Sequence, residues 1–125
     1  MTEPVGQLAS ISVDCPDTEV LAGFYSRLLG LQEAFATPDR GVMALAGAGP
    51  MLTMMRVDSY IPPTWPEGSQ RQQLHLDIAV EELDIAAEAA IALGAASVAH
   101  QPAPGQWRVM LDPAGHPFCL TAVRP

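Results

Sequence analysis

The side chains best suited to chemistry are His75 and Asp77, which stand two positions apart in an alternating apolar segment. An imidazole can act as a general base, exchange hydrogen bonds or bind a metal ion. Because residues two apart in a strand point to the same side, both side chains are expected on one face. His75 is the best candidate for a catalytic group. It is interpreted either as a hydrogen-bonded structural histidine or as a ligand-contacting or acid–base group.

Cys119 adds a thiol to this set. A cysteine in an apolar segment is commonly a small buried hydrophobe, and its reactivity depends on the pKa of the thiol. Cys15 is the only other cysteine, and one pair does not indicate a disulfide framework. Both are expected to be free thiols in a reducing compartment.

Two similar halves determine where these side chains are placed. The segment Ser10–Gly30 recurs as His75–Gly94 at a shift of about 65 residues, and Val42–Met43 recurs as Val109–Met110 at a shift of 67. Each half has the pattern of a strand, a helix and three further strands. Two such units predict an internally repeated α+β domain with its binding site in a groove between the repeats.

Residues 1–125 are interpreted as a single domain, with repeat one at about 8–57, a connector at 58–73 and repeat two at about 74–123. The fold class is α+β, with two βαβββ repeats forming a concave sheet groove. Helical spacing of apolar residues predicts helices that end at Gly30 and at Gly94. The strands are expected near residues 8–14, 32–36, 41–46, 51–57, 74–80, 96–100, 106–111 and 117–123.

The more apolar face of each strand should meet a helix, which leaves the other face to line the groove. The shift of 67 residues assigns the same role in both repeats. The expected ligand-binding residues are Ser10, Ser12, Leu52, Met54, His75, Asp77, Trp107, Cys119 and Thr121. Trp65 joins them if the proline-rich connector closes over the pocket as a lid, and otherwise it packs on the surface of its own or a neighbouring subunit. This mixed lining predicts a small, partly apolar organic ligand.

Composition excludes several classes of function. Six arginines and no lysine stand against 14 acidic residues, which gives a net charge of −8. A nucleic-acid or anionic membrane surface needs a basic patch, so neither partner is expected. No apolar run approaches the length of a membrane span, and no secretory leader is recognised, so a cytoplasmic protein is expected.

Several motifs carry a resemblance that covers almost the whole chain. They are Asp14–Asp17, Phe24–Tyr25, Leu28–Gly30, Gln72–Asp77 and Asp112–Leu120. Together they resemble the vicinal oxygen chelate superfamily and, more narrowly, the glyoxalase-like domain proteins. These proteins are relatives of glyoxalase I, bleomycin-resistance proteins and extradiol dioxygenases. The resemblance also implies a homodimer.

The superfamily resemblance implies a metal site with one ligand from the first and last strand of each repeat, commonly His, Glu or Gln. Carried over to this chain, the positions are Ser10, Leu52, His75 and Cys119, of which only His75 matches. The leading prediction is therefore a small-molecule binding protein without a catalytic metal or other cofactor. One alternative is a metal-dependent lyase, isomerase or dioxygenase, and another is a metal-free enzyme in which His75 is the general base beside Cys119 or Asp77.

Overall fold

A computed structural model of the chain describes residues 3–122. It contains two compact units, the first ending at Asp58 and the second beginning at Ser59. Each unit holds one four-stranded sheet and one long helix in the order strand, helix, strand, strand, strand. The predicted α+β class and the two βαβββ repeats are confirmed. Val123, which was included in the predicted last strand, lies outside the described residues.

The two sheets share one topology. Their strand orders are β1-β4-β3-β2 and β5-β8-β7-β6, and the first and last strands of each unit pair in parallel while the other pairs are antiparallel. The elements of the first unit are β1 (Ser10–Cys15), α1 (Thr18–Leu29), β2 (Gln32–Ala36), β3 (Val42–Ala46) and β4 (Met51–Arg56). Those of the second are β5 (Leu76–Ala79), α2 (Leu83–Leu93), β6 (Ala96–Ser97), β7 (Trp107–Leu111) and β8 (Pro117–Thr121).

Helix α1 is stabilised by a capping residue at each end and by an apolar face that is buried. The Asp17 side chain accepts hydrogen bonds from two backbone N–H groups of the first turn and so caps the helix. At the other end Gly30 takes a left-handed conformation with φ of 68°, which a glycine adopts without the steric penalty of a Cβ. Leu21, Phe24 and Tyr25 lie on one side of the helix and are buried. They anchor α1 against β3 and β4.

The register of β1 and β4 corrects the expected facing of two side chains. Ser12 lies beside Thr53 and Val13 lies beside Met54 in the parallel pair. Leu52 and Met54 therefore point away from the face of the β1 serines, and they are 5% and 0% exposed. The expectation that Leu52 and Met54 line the same face as the serines is wrong. A slip of one residue in register moves every side chain of a strand to the other face.

The core of the second unit is built on the apolar face of its sheet. Phe118, Leu120 and Met110 are almost completely buried, and the register places all three on one face. Helix α2 contacts β6, β7 and β8. Its alanines, of which Ala90 is fully buried, are small enough to let the helix approach a sheet closely. Helix α2 ends at Gly94, as predicted.

One side chain supports β7 from outside the sheet. The Gln101 carboxamide accepts a hydrogen bond from the Val109 N–H and donates one to the Val109 carbonyl, both at 2.8 Å. It also donates to the Val98 carbonyl at 3.1 Å. Gln101 therefore satisfies the outer backbone groups of Val109 as a paired strand would.

Most of the connector belongs to the second unit, because 59–73 falls on that side of the boundary. The Tyr60 hydroxyl donates to the Ala114 carbonyl at 2.8 Å. The Thr64 N–H donates to the Gln70 carbonyl at 2.9 Å, which folds the connector back on itself. None of the helices within residues 3–122 combines the length and the hydropathy needed to cross a membrane.

Candidate functional site

The strongest cluster of reactive side chains lies at the start of β5. His75 directly precedes the strand, and its Nε2 atom is 3.1 Å from Asp77 Oδ1. Asp77 lies beside Cys119 of β8 in the parallel register. One donor atom from each of the three side chains lies within 4.8 Å of the other two. The structure thus brings together the imidazole, carboxylate and thiol that the sequence singled out.

Two more of the sequence-predicted residues share this face of the second sheet. Thr121 is two positions beyond Cys119 on β8, and Trp107 of β7 lies opposite Thr121. Trp107 is 36% exposed, whereas Cys119 is 9% exposed. The face therefore runs from a nearly buried thiol to partly exposed aromatic and polar groups.

Burial determines the chemistry of the thiol. The pKa of Cys119 is raised above its ordinary value, first because burial penalises the thiolate and second because the Asp77 carboxylate is nearby. Cys119 is therefore a protonated, weakly polar group at neutral pH, which argues against a nucleophilic role. Cys15 and Cys119 form no disulfide with each other in the part of the chain that the structure describes.

Asp77 orients the imidazole. The side chains of His75 and Asp77 are 37% and 61% exposed, so their hydrogen bond lies at the surface end of the cluster. A carboxylate accepts a hydrogen bond and cannot donate one when ionised, so the proton between the two groups belongs to His75 Nε2. In the neutral tautomer Nδ1 is then left as an acceptor for a ligand or a metal ion.

The first unit presents hydroxyl groups at the matching strands. Ser10 Oγ and Thr53 Oγ1 are 2.6 Å apart and hydrogen bonded, and Ser12 is exposed on the same face. Thr53 lies beside Ser12 as Cys119 lies beside Asp77. Thr53 is thus the residue that the sequence interpretation missed when it chose Leu52.

The position of Pro50 explains why Leu52 was predicted instead of Thr53. The shift of 67 residues that relates the two halves places Pro50 opposite Pro117 and Leu52 opposite Cys119. Pro50 lies in the turn before β4, whereas Pro117 is the first residue of β8. The signal that could have found Thr53 was the polar alternation itself, because a buried threonine between Leu52 and Met54 marks the opposite face.

Trp65 contributes to a pocket formed by the connector. The pocket has a volume of about 270 Å³ and is lined by Trp65, Pro66, Arg71, Gln72 and Gln73. The Trp65 ring lies 6.3 Å from the His100 ring, measured between centroids. The tryptophan therefore packs within its own unit.

The donor groups fit a metal ion in the second unit better than in the first. Ser10 and Thr53 offer only neutral hydroxyls, which are poor ligands and already bond to each other. His75, Asp77 and Cys119 offer nitrogen, oxygen and sulfur, a combination that zinc and similar ions accept. Three such groups could hold an ion if Cys119 gives up its proton.

Comparison with known proteins identifies the family. The sequence matches the glyoxalase-like domain family over residues 10–121. The chain belongs to this family, as the sequence resemblance predicted. No curated protein matches the chain.

Solved structures show the same fold at low sequence identity. A glyoxalase/bleomycin resistance protein/dioxygenase family enzyme from Burkholderia phytofirmans PsJN is 21% identical, with a TM-score of 0.69 over 92% of this chain and 97% of that chain. A glyoxalase-related enzyme from Fulvimarina pelagi is 22% identical, with a TM-score of 0.65 over 94% and 88%.

The third structure is a variant of the genomically encoded fosfomycin resistance protein FosX from Listeria monocytogenes. It was solved in complex with Mn(II) and 1S,2S-dihydroxypropylphosphonic acid. It is 21% identical to this chain, with a TM-score of 0.70 over 98% of this chain and 93% of that chain. Likeness at this level of identity shows the fold alone.

Proposed function

We propose that this glyoxalase-like protein binds a small, partly apolar organic molecule on the face of the second sheet that carries His75, Asp77 and Trp107. The observation that supports the proposal is the shared face itself. The imidazole, carboxylate and thiol share this face with the partly exposed indole of Trp107, which lies beside Thr121, and ligand sites commonly combine an apolar wall with a few placed polar groups. Binding of this kind needs no metal ion.

Charge favours a neutral or cationic ligand at this face. The chain carries a net charge of −8, and Asp77 adds a local carboxylate beside His75. A like charge brought close to an exposed carboxylate is repelled, although salt screens the effect beyond about 10 Å. The imidazole Nδ1 and the Thr121 hydroxyl can each exchange a hydrogen bond with a bound polar group.

The test is titration with Nile red, a neutral and partly apolar dye whose fluorescence rises in apolar surroundings. Trp107→Ala removes the exposed indole and is expected to weaken dye binding at least about fivefold, because aromatic side chains supply most of the contact area in such sites. Ile85→Ala is the control, since Ile85 is an apolar side chain of α2 with 67% exposure and lies outside the strands of the proposed face. It should leave the affinity unchanged.

Two results would contradict the proposed binding face. If Ile85→Ala weakens Nile red binding as much as Trp107→Ala does, the dye reports general surface hydrophobicity and the proposed face is wrong. If neither substitution has an effect, the dye binds elsewhere, and the proposal fails as well.

The convergence of His75, Asp77 and Cys119 supports a second candidate, a divalent metal ion bound in the second unit. The ion would act as a Lewis acid toward an oxygen of the substrate. His75 would bind through an imidazole nitrogen, Asp77 through an oxygen and Cys119 through its sulfur. The FosX variant complexed with Mn(II) shares the fold, and this supports the candidate at the level of architecture.

Cobalt provides the test, because a thiolate bound to Co²⁺ gives an intense charge-transfer absorption band. Protein without a histidine tag is stripped with chelator and titrated with Co²⁺. The band should be absent in Cys119→Ser and present in Cys15→Ser, which alters the other of the two cysteines. A band that survives in Cys119→Ser, or no stoichiometric binding to the unaltered chain, would exclude this site. The groove between the repeats, the homodimer and the cytoplasmic location stay predictions.

A further inference from the structure

The connector forms a pocket that the proposed function does not use. Its lining consists of Trp65, Pro66, Arg71, Gln72 and Gln73, all within the second unit. Its volume of about 270 Å³ is close to the lower end of the range of ligand pockets, which begins near 300 Å³. The pocket therefore suits a small organic ligand.

Two polar atoms of the lining residues lack partners. Trp65 Nε1 and Gln72 Oε1 are buried, and neither forms a hydrogen bond among residues 3–122. Buried polar groups are nearly always paired in folded proteins, so two orphan atoms on residues that line one small pocket call for an explanation. The indole N–H can only donate, and the carboxamide oxygen can only accept. A ligand that accepts at one point and donates at another would satisfy both.

Arg71 supplies a cation at the same place. Its side chain forms no ion pair with a carboxylate in the part of the chain that the structure describes. A guanidinium binds carboxylates through parallel N–H donors, and this geometry makes arginine selective for planar anions. The chain has a net charge of −8, so the positive charge of Arg71 beside this pocket is opposite in sign to the charge of the whole chain.

We propose that this pocket binds a small organic carboxylate that carries a hydroxyl or amino group on the neighbouring carbon. One carboxylate oxygen accepts from Arg71, and the other accepts from Trp65 Nε1. The adjacent hydroxyl or amino group donates to Gln72 Oε1. Because both orphan atoms are shielded from solvent, the side chains of the pocket wall shift when the ligand enters. The proposal does not depend on the His75 cluster.

The indole N–H of Trp65 offers a direct readout. In a ¹H–¹⁵N correlation spectrum the two tryptophans give two indole signals, and Trp107→Phe identifies that of Trp65 by elimination. Lactate has about six heavy atoms, so its expected dissociation constant is on the order of millimolar. Lactate should shift the Trp65 signal downfield, as a newly formed hydrogen bond does. Propionate, which lacks the hydroxyl, should bind more weakly, and the uncharged lactamide should give no shift over the same range.

Substitutions separate this site from non-specific anion binding. Arg71→Gln is expected to weaken lactate binding at least about tenfold, because hydrogen bonds between charged groups are the strongest of their kind. Arg27→Gln makes the same change of charge on α1 and should bind lactate as the unaltered chain does. Gln72→Leu removes the acceptor oxygen while keeping a side chain of similar size, and it should abolish the preference for lactate over propionate.

Three results would overturn the proposal. They are a Trp65 signal that does not respond to millimolar lactate, an equal response to lactamide, and unchanged lactate affinity in Arg71→Gln. None of them bears on Nile red binding at Trp107, so failure here is distinguishable from failure of the proposed function.

Discussion

Replacing Met54 by alanine is a sharp test of the strand register in the first unit. Met54 is completely buried and lies beside Val13, on the face opposite the β1 serines. The substitution removes three heavy atoms from a packed core, and the surrounding side chains relax only partly into the space. If Met54 instead lay on the face of the serines, it would lie beside the exposed Ser12, and the same change would remove fewer contacts.

The expected loss is large relative to the stability of a domain of this size. Truncation of a buried methionine to alanine costs about 2–5 kcal/mol of unfolding free energy. Total stabilities are about 5–15 kcal/mol, so this is a considerable share. With a urea dependence of about 2 kcal/mol per molar, a loss of about 3 kcal/mol lowers the unfolding midpoint by about 1.5 M.

Ser12→Ala is the matched control. Ser12 is exposed on the opposite face of β1, and exposed substitutions usually change stability by less than about 0.5 kcal/mol. Urea unfolding of both variants, followed by circular dichroism, gives the comparison. The assigned register would be refuted if Met54→Ala lowered the midpoint by less than about 0.3 M, or if Ser12→Ala lowered it as far as Met54→Ala.

Two further expectations concern the second unit. The raised pKa of Cys119 means that the folded chain holds the thiol proton more tightly than the unfolded chain, so the stability from this group is complete below the ordinary thiol pKa of 9.0 and is lost as pH rises through the folded pKa. Between neutral pH and about pH 10, the free energy of unfolding in urea should therefore decline more steeply for the unaltered chain than for Cys119→Ala. Equal slopes would contradict this expectation. Gln101→Leu leaves the Val109 backbone groups without their partner and should cost about 1–3 kcal/mol. Faster amide exchange at Val109 should accompany the loss, and unchanged exchange would show that the carboxamide does not support β7.

Much of the fold was predictable because its signals are local. The apolar spacing of α1 and the glycine that ends it identify the helix without any knowledge of tertiary contacts. The predicted strands at 106–111 and 117–123 lie close to the observed bounds of β7 and β8. The predicted strand at 96–100 shortens to Ala96–Ser97, because pairing with an edge strand depends on a partner that is distant in sequence.

The site was harder to predict, because a binding face depends on register. His75, Asp77 and Cys119 were found from their chemical types, and the parallel pairing of β5 and β8 brings the last two side by side. Leu52 and Met54 were misplaced because register changes with a single residue of turn length. The sequence does not predict Arg71 or Gln72 as ligand contacts, since nothing in a proline-rich connector indicates that a buried indole and amide will lack partners.

The pairing of strands within each unit has a consequence for how this chain can change over evolutionary time. Both ladders are completed by contiguous stretches of sequence, so a substitution at a paired position of one ladder leaves the hydrogen-bonded neighbours of the other ladder as they were. Descendants of a duplicated segment can then drift apart in side-chain chemistry while each keeps its own backbone frame. The first unit carries hydroxyls at Ser10 and Thr53, whereas the second unit carries an imidazole, a carboxylate and a thiol, and this difference illustrates such divergence.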